Sequence, residues 1–191
     1  NTMTLNGVID VPPQNMVSIA CPMGGHVASI DLLPGQEVNK GQVLVTLQDP
    51  AYVQLQQDYL VSKSRVQFLE KEYERQKELA VNDATSQKMY QQVTAEYQQE
   101  RTMLMGVGQK LALLGIDAEK LTIQSISRTI SIRSPIHGFI SKVPVNRGRY
   151  VAPTDVLAEL VDPSDIHASL TVFERDIPFI KAGQLVKVKL V

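Results

Sequence analysis

Three side chains within six positions, Cys21, Met23 and His26, are soft or borderline ligands for transition-metal ions. A thiol, a thioether and an imidazole this close together are what the sequence offers as a metal site. The competing reading is packing. A free cysteine commonly behaves as a small buried hydrophobe, and spacing alone defines no coordination geometry. Met3, Met16, Met89, Met103 and Met105 are scattered and read as packing residues. Enzyme chemistry finds no support. There is no Gly-rich phosphate loop, no Gly-x-Ser-x-Gly and no His-Glu-x-x-His, and His26, His137 and His167 lie far apart in sequence. No catalytic residue and no cofactor is expected.

Composition bounds the remaining possibilities. The 191 residues are 43% hydrophobic, enough to bury a core. A net charge of −1 without a basic block argues against nucleic acid as a partner. No apolar run reaches the ~18 residues a membrane-spanning helix needs. One cysteine excludes an internal disulfide, and Asn1 in place of Met reads as a processed or trimmed start.

The elements that would position these residues follow from a repeat. Adding 113 to the numbers of Pro22, Gly25, Val27, Gly35, Val38, Leu44, Leu47, Asp49 and Pro50 lands on Pro135, Gly138, Ile140, Gly148, Val151, Leu157, Leu160, Asp162 and Pro163. Self-similarity at a fixed offset marks a repeated structural unit. Val17 and Ile19, like Ile130 and Ile132, alternate with polar neighbours, as half-buried strands do. Residues 16–50 and 129–163 are therefore expected to be two short β-meanders packed face to face as one sandwich. The same offset sets Cys21 opposite Ser134 and Met23 opposite Ile136, ordinary strand and turn positions.

Between the halves the composition changes. Residues 51–134 contain no proline, and 51–105 no glycine, which predicts long helices. Positions 52, 55, 59, 62, 66, 69, 73, 76 and 80 step by three and four, and seven of the nine suit an apolar seam. After a polar turn at Asn82-Asp83 with Thr85-Ser86, the period resumes at 90, 93, 97, 100, 104, 107, 111 and 114, seven of eight apolar. Two such segments predict an antiparallel coiled-coil hairpin within 51–128, an arm of roughly 45 Å. Gly115 suits its C-cap, and turns at Pro50 and Gly115 are expected to let the arm swing. Residues 1–15 read as one strand, and Ile166–Val172 and Gln184–Val191 as two more. With 164–191 they are expected to form part of a β-barrel domain. The fold class is thus α+β: a split sandwich with an inserted helical hairpin.

The two sandwich halves, placed end to end, resemble a lipoyl or biotinyl carrier domain. The modified lysine of such a domain would fall at Gln48-Asp49-Pro50-Ala51, where there is none; Lys40 belongs to an earlier turn. A carrier domain with a docking arm is therefore the rival reading from another class. Together with the hairpin, three stretches resemble the periplasmic adaptor family, or membrane fusion proteins. They are Pro34-Gly35-Gln36-Glu37-Val38-Asn39-Lys40-Gly41-Gln42, Ser134-Pro135-Ile136-His137-Gly138, and Val172-Phe173-Glu174-Arg175-Asp176-Ile177 with Lys181-Ala182-Gly183-Gln184. Leu55–Leu60 and Arg75–Leu79 look most like the heavy-metal-efflux branch.

The resemblance implies an adaptor that links an inner-membrane resistance-nodulation-division transporter to an outer-membrane channel for heavy-metal cation export. It also implies a periplasmic location at the inner membrane and a homo-oligomer, a hexameric ring. An adaptor of an ATP-driven secretion system is the alternative. In the family, Arg, Leu and Ser at the hairpin tip dock on the channel, and Arg75, Leu79 and Ser86 match that spacing. Arg75 and Leu79 share a helix face and lie off the seam. The bland readings are a solvated charge for Arg75, packing on its own turn for Leu79 and an N-cap for Ser86.

Overall fold

The computed structural model describes residues 4–82 and 85–189. Asp83 of the expected turn and the ends 1–3 and 190–191 lie outside the described residues. The offset of 113 is realised in eight strands. These are β2 (Met16–Ala20), β3 (Gly25–Ile30), β4 (Glu37–Val38) and β5 (Val43–Gln48), and then β6 (Thr129–Arg133), β7 (Gly138–Lys142), β8 (Tyr150–Val151) and β9 (Val156–Val161). One sheet has the order β2-β9-β7-β4 and the other β6-β5-β3-β8. Exchanging each strand for its copy turns one sheet into the other, so the body has internal pseudo-twofold symmetry.

This order corrects the expectation of two stacked meanders. Each sheet takes two strands from each half: β2 pairs with β9 of the other half, bringing Val17 against Leu160, and β5 pairs with β6, bringing Leu47 against Ile130. The backbone supplies the reason. Strands β2 and β6 find no antiparallel partner within their own half, and only the exchanged strands satisfy their N–H and C=O groups. A core of Ile19, Val27, Val38, Leu44, Leu47, Ile140, Val151, Leu157 and Leu160 then fills the space between the sheets. Gly35 and Gly148, related by the repeat, turn the chain at φ 85° and 86°, a left-handed conformation that costs a glycine nothing.

The arm consists of α1 (Pro50–Val81) and α2 (Gln87–Leu113). Asp49 caps α1 by accepting from the Ala51 N–H at 2.8 Å, and Pro50 occupies the first helical position, where no N–H is needed. At the other end Gly115, φ 73°, follows α2. The Ile116 N–H reaches back to the Leu111 carbonyl and that of Gly115 to Ala112, both 3.0 Å, as in a Schellman closure. The helices run antiparallel: Thr85 meets Gln76, Tyr97 meets Glu70, Ser62 meets Glu100, and Tyr59 packs with Leu111. Every expected seam position on both helices is buried or half-buried.

Outside the body, β1 (Asn6–Asp10) pairs antiparallel with β10 (His167–Thr171), from Asn6 opposite Thr171 to Asp10 opposite His167. A strand expected over 1–15 is thus shorter, and Pro13–Asn15 form a 3-10 turn. The strand expected at 184–191 is not formed over 184–189. No neighbouring strand among the described residues offers it a ladder. No described helix is long and apolar enough to cross a membrane.

Candidate functional site

Arg75, Leu79 and Ser86 all sit at the far end of the arm. Arg75 is 64% exposed at its side chain and pairs with Glu72 of its own helix at 3.0 Å. Leu79, one turn on, is half-buried, so its own hairpin covers part of it. Ser86 is the N-cap of α2, its Oγ accepting from the Met89 N–H at 3.2 Å. The hydroxyl therefore has a structural task as well as an exposed position. Just below the tip, Tyr73 stacks between Tyr90 (ring centroids 5.9 Å apart) and Tyr97 (5.5 Å) and braces the two helices.

Cys21, Met23 and His26 do not converge. Cys21 is 1% exposed and belongs to the sandwich core, and Met23 packs on that core from its edge. His26 alternates with the buried Gly25 and Val27 along β3, so it faces outward, where Tyr150 meets it edge-on at 5.1 Å. Among the described residues no group of three His, Cys, Asp or Glu could hold a metal ion. Burial holds the Cys21 thiol above its ordinary value and hence neutral. His137 stands in its turn with Nε2 3.0 Å from Glu37 Oε1. The place where a carrier would present its lysine is instead the start of α1.

Sequence reasoning gave Tyr52 only a place on the seam and passed over Gln56, and these two residues hold the arm to the body. Tyr52, in the first turn of α1, is fully buried in the core, where its hydroxyl donates to the Gly24 carbonyl at 2.8 Å. Burial, with the nearby Cys21, raises its phenol well above the ordinary value. Gln56 is 2% exposed and lies just off the seam. Its amide nitrogen donates to the carbonyls of Ser127 (2.7 Å) and Tyr52 (2.6 Å), and its oxygen accepts from the Ser127 N–H at 3.1 Å. The available signal was a glutamine one turn after a seam tyrosine, in a helix already rich in exposed glutamines. Beside this root lies an open groove of about 500 Å³, bordered by His26, Asp49, Val53, Gln57 and Arg128.

Comparison with known proteins gives this geometry its kin. Residues 15–162 match the family described as CzcB-like, barrel-sandwich hybrid domain. The cobalt-zinc-cadmium resistance protein CzcB of Cupriavidus metallidurans is 23% identical over 162 residues, 85% of this chain and 30% of that protein. The nickel-cobalt-cadmium resistance protein NccB of Alcaligenes xylosoxydans xylosoxydans is 25% identical over 171 residues, 90% of this chain and 41% of that one. The chain thus spans well under half the length of these curated relatives. Among solved structures, ZneB of Cupriavidus metallidurans superposes with a TM-score of 0.61 at 23% identity, over 94% of this chain and 74% of its own. A MacA–MexA chimera containing the Pseudomonas aeruginosa MexA α-hairpin domain gives 0.63 at 24%, over 95% and 60%. At such identities the superpositions speak to fold, and the family match covers most of the chain. This chain belongs to the CzcB-like barrel-sandwich hybrid domain family.

Proposed function

We propose that this chain is the body and arm of a non-catalytic periplasmic adaptor, a membrane fusion protein. In this reading it links an inner-membrane resistance-nodulation-division transporter to an outer-membrane channel, for export of heavy-metal cations. One observation carries the reading: a helical hairpin of 32- and 27-residue helices leaves a lipoyl-like sandwich at the point where a carrier domain would hold its lysine. A coiled-coil arm about 48 Å long, at ~1.5 Å per residue, is a spacer rather than a catalytic element. The names of CzcB and NccB, which speak of cobalt, zinc, nickel and cadmium resistance, support the substrate class. The division adopted is 16–50 and 129–163 for the sandwich, 51–128 for the arm, and 1–15 with 164–191 for a β-barrel domain.

Docking of the channel is assigned to the arm tip, with Arg75 offering a charge, Leu79 an apolar contact, and Ser86 a hydroxyl beside its cap. The homo-oligomer, a hexameric ring, belongs to the same reading. The test is association of the purified protein with a purified outer-membrane channel from the same cells, measured with and without Leu79→Asp. A charge in an apolar contact should weaken binding by at least tenfold while the helical content is unchanged. Unchanged association would take the docking role away from Leu79.

A further inference from the structure

We infer that Met89 is a contact residue of the arm tip and forms, with Leu79, one apolar seat for the outer-membrane channel. This rests on the adaptor reading and adds a residue to its docking face. Met89 reads from the sequence as a packing residue, yet it is 46% exposed. It occupies the third position of α2, after the Ser86 cap. A glutamate or glutamine there would reach back to the cap and complete a capping box. Acidic side chains in a first turn also suit the positive end of a helix. The first turn of α2 has no acid and carries Lys88. Met89 therefore serves the helix start only through its backbone N–H, which donates to Ser86 Oγ at 3.2 Å. A local rule broken without local gain is where function is expected to override stability.

Where the methionine stands on the tip follows from the hairpin geometry. Leu79 precedes the seam residue Ala80, and Met89 precedes the seam residue Tyr90. The twofold that relates two antiparallel helices keeps such positions on one side of the pair. Leu79 lies just inside the end of α1 at Val81, and Met89 equally far inside the start of α2 at Gln87. The two side chains thus share a side and a depth, one from each helix. Arg75, one turn below Leu79, stands on the same side. Its side chain is 64% exposed, against 22% for its partner Glu72. Two apolar side chains with a guanidinium beside them fit a channel end that offers an apolar side chain and a hydrogen-bond acceptor. Methionine, unbranched and flexible, follows an irregular partner surface.

The test measures association with the same purified channel for Met89→Glu, Met89→Leu and Met105→Glu. Met89→Glu completes the capping box with Ser86, so this variant should unfold in urea no earlier than the native protein. It should nevertheless weaken association roughly tenfold or more, because docking would strip water from a carboxylate. Met89→Leu keeps the apolar contact at similar volume and should bind within about twofold of native. Met105→Glu, exposed on α2 nearer the body, should bind as the native protein does. Native binding that survives Met89→Glu would overturn this inference alone, and so would an earlier unfolding of that variant. An equal loss in Met105→Glu would overturn it too, since a charge anywhere on the helix would then suffice. A native protein that does not bind the channel would overturn the adaptor reading, and this inference with it.

Discussion

Ser62 of α1 donates its hydroxyl to Glu100 Oε1 of α2 across 2.6 Å, in a seam that is mostly apolar. Ser62 is 3% exposed. These are two of the three residues that break the apolar pattern in the sequence. The third, Gln76, accepts at 2.7 Å from Thr85, in the turn just before the N-cap of α2. Each polar exception therefore has a polar answer, and the pairing fixes which turn of α1 faces which turn of α2.

Removing one partner of that bond should cost more than removing both. Ser62→Ala leaves the Glu100 carboxylate without its donor and should destabilise the protein by about 1–3 kcal/mol. Ser62→Ala with Glu100→Leu should recover most of that loss, since apolar groups replace the pair outright. Urea unfolding of the two single variants and the double variant measures this coupling. Additive effects would show that the bond contributes nothing.

The tyrosine stack predicts where the arm frays first. Tyr73→Ala removes the ring that Tyr90 and Tyr97 share. Amide exchange should accelerate on both helices beyond Glu70 and Tyr97, with protection around Leu111 and the sandwich unchanged. Exchange that accelerates uniformly would mean that the arm opens as one unit.

The internal symmetry makes a paired prediction. Gly35→Ala and Gly148→Ala each force a Cβ into a left-handed backbone near φ 85°, although open space surrounds both positions. The penalty is conformational rather than steric, and each should cost roughly 1–2 kcal/mol. Thermal unfolding should show the two losses to be alike.

Alkaline pH should unfold the body through its buried acids. The Cys21 thiol, whose ordinary value is 9.0, is raised mainly by burial, and the Tyr52 phenol is raised by burial and then by Cys21. Both groups hold their protons more tightly folded than unfolded, so the unfolded chain releases protons first as the pH climbs. Their contribution is complete below about pH 9 and is lost above it as the unfolded thiol and phenol ionise. Stability measured against pH should fall above that point, and less steeply in Cys21→Ala. An equal slope in the variant would show that the thiol is not coupled to unfolding.

The sequence by itself determined the periodicities. The offset of 113 marked two matching β halves at 16–50 and 129–163, and the steps of three and four marked seam residues that are buried or half-buried on both helices. These signals are local, because side-chain direction repeats every two residues in a strand and every 3.6 in a helix. Gly115 as a helix stop was legible for the same reason. Partnership between distant segments was not. That β2 would join β9, and β6 join β5, depends on which backbone edges remain open once all strands are present. Only the tertiary structure decided it. The separation of Cys21 from His26 has the same origin: closeness in sequence put them together, but Cys21 leaves β2 of one sheet into the core while His26 faces outward from β3 of the other. Gln56 looked like any exposed helical glutamine until Ser127, 71 residues away, arrived beside it.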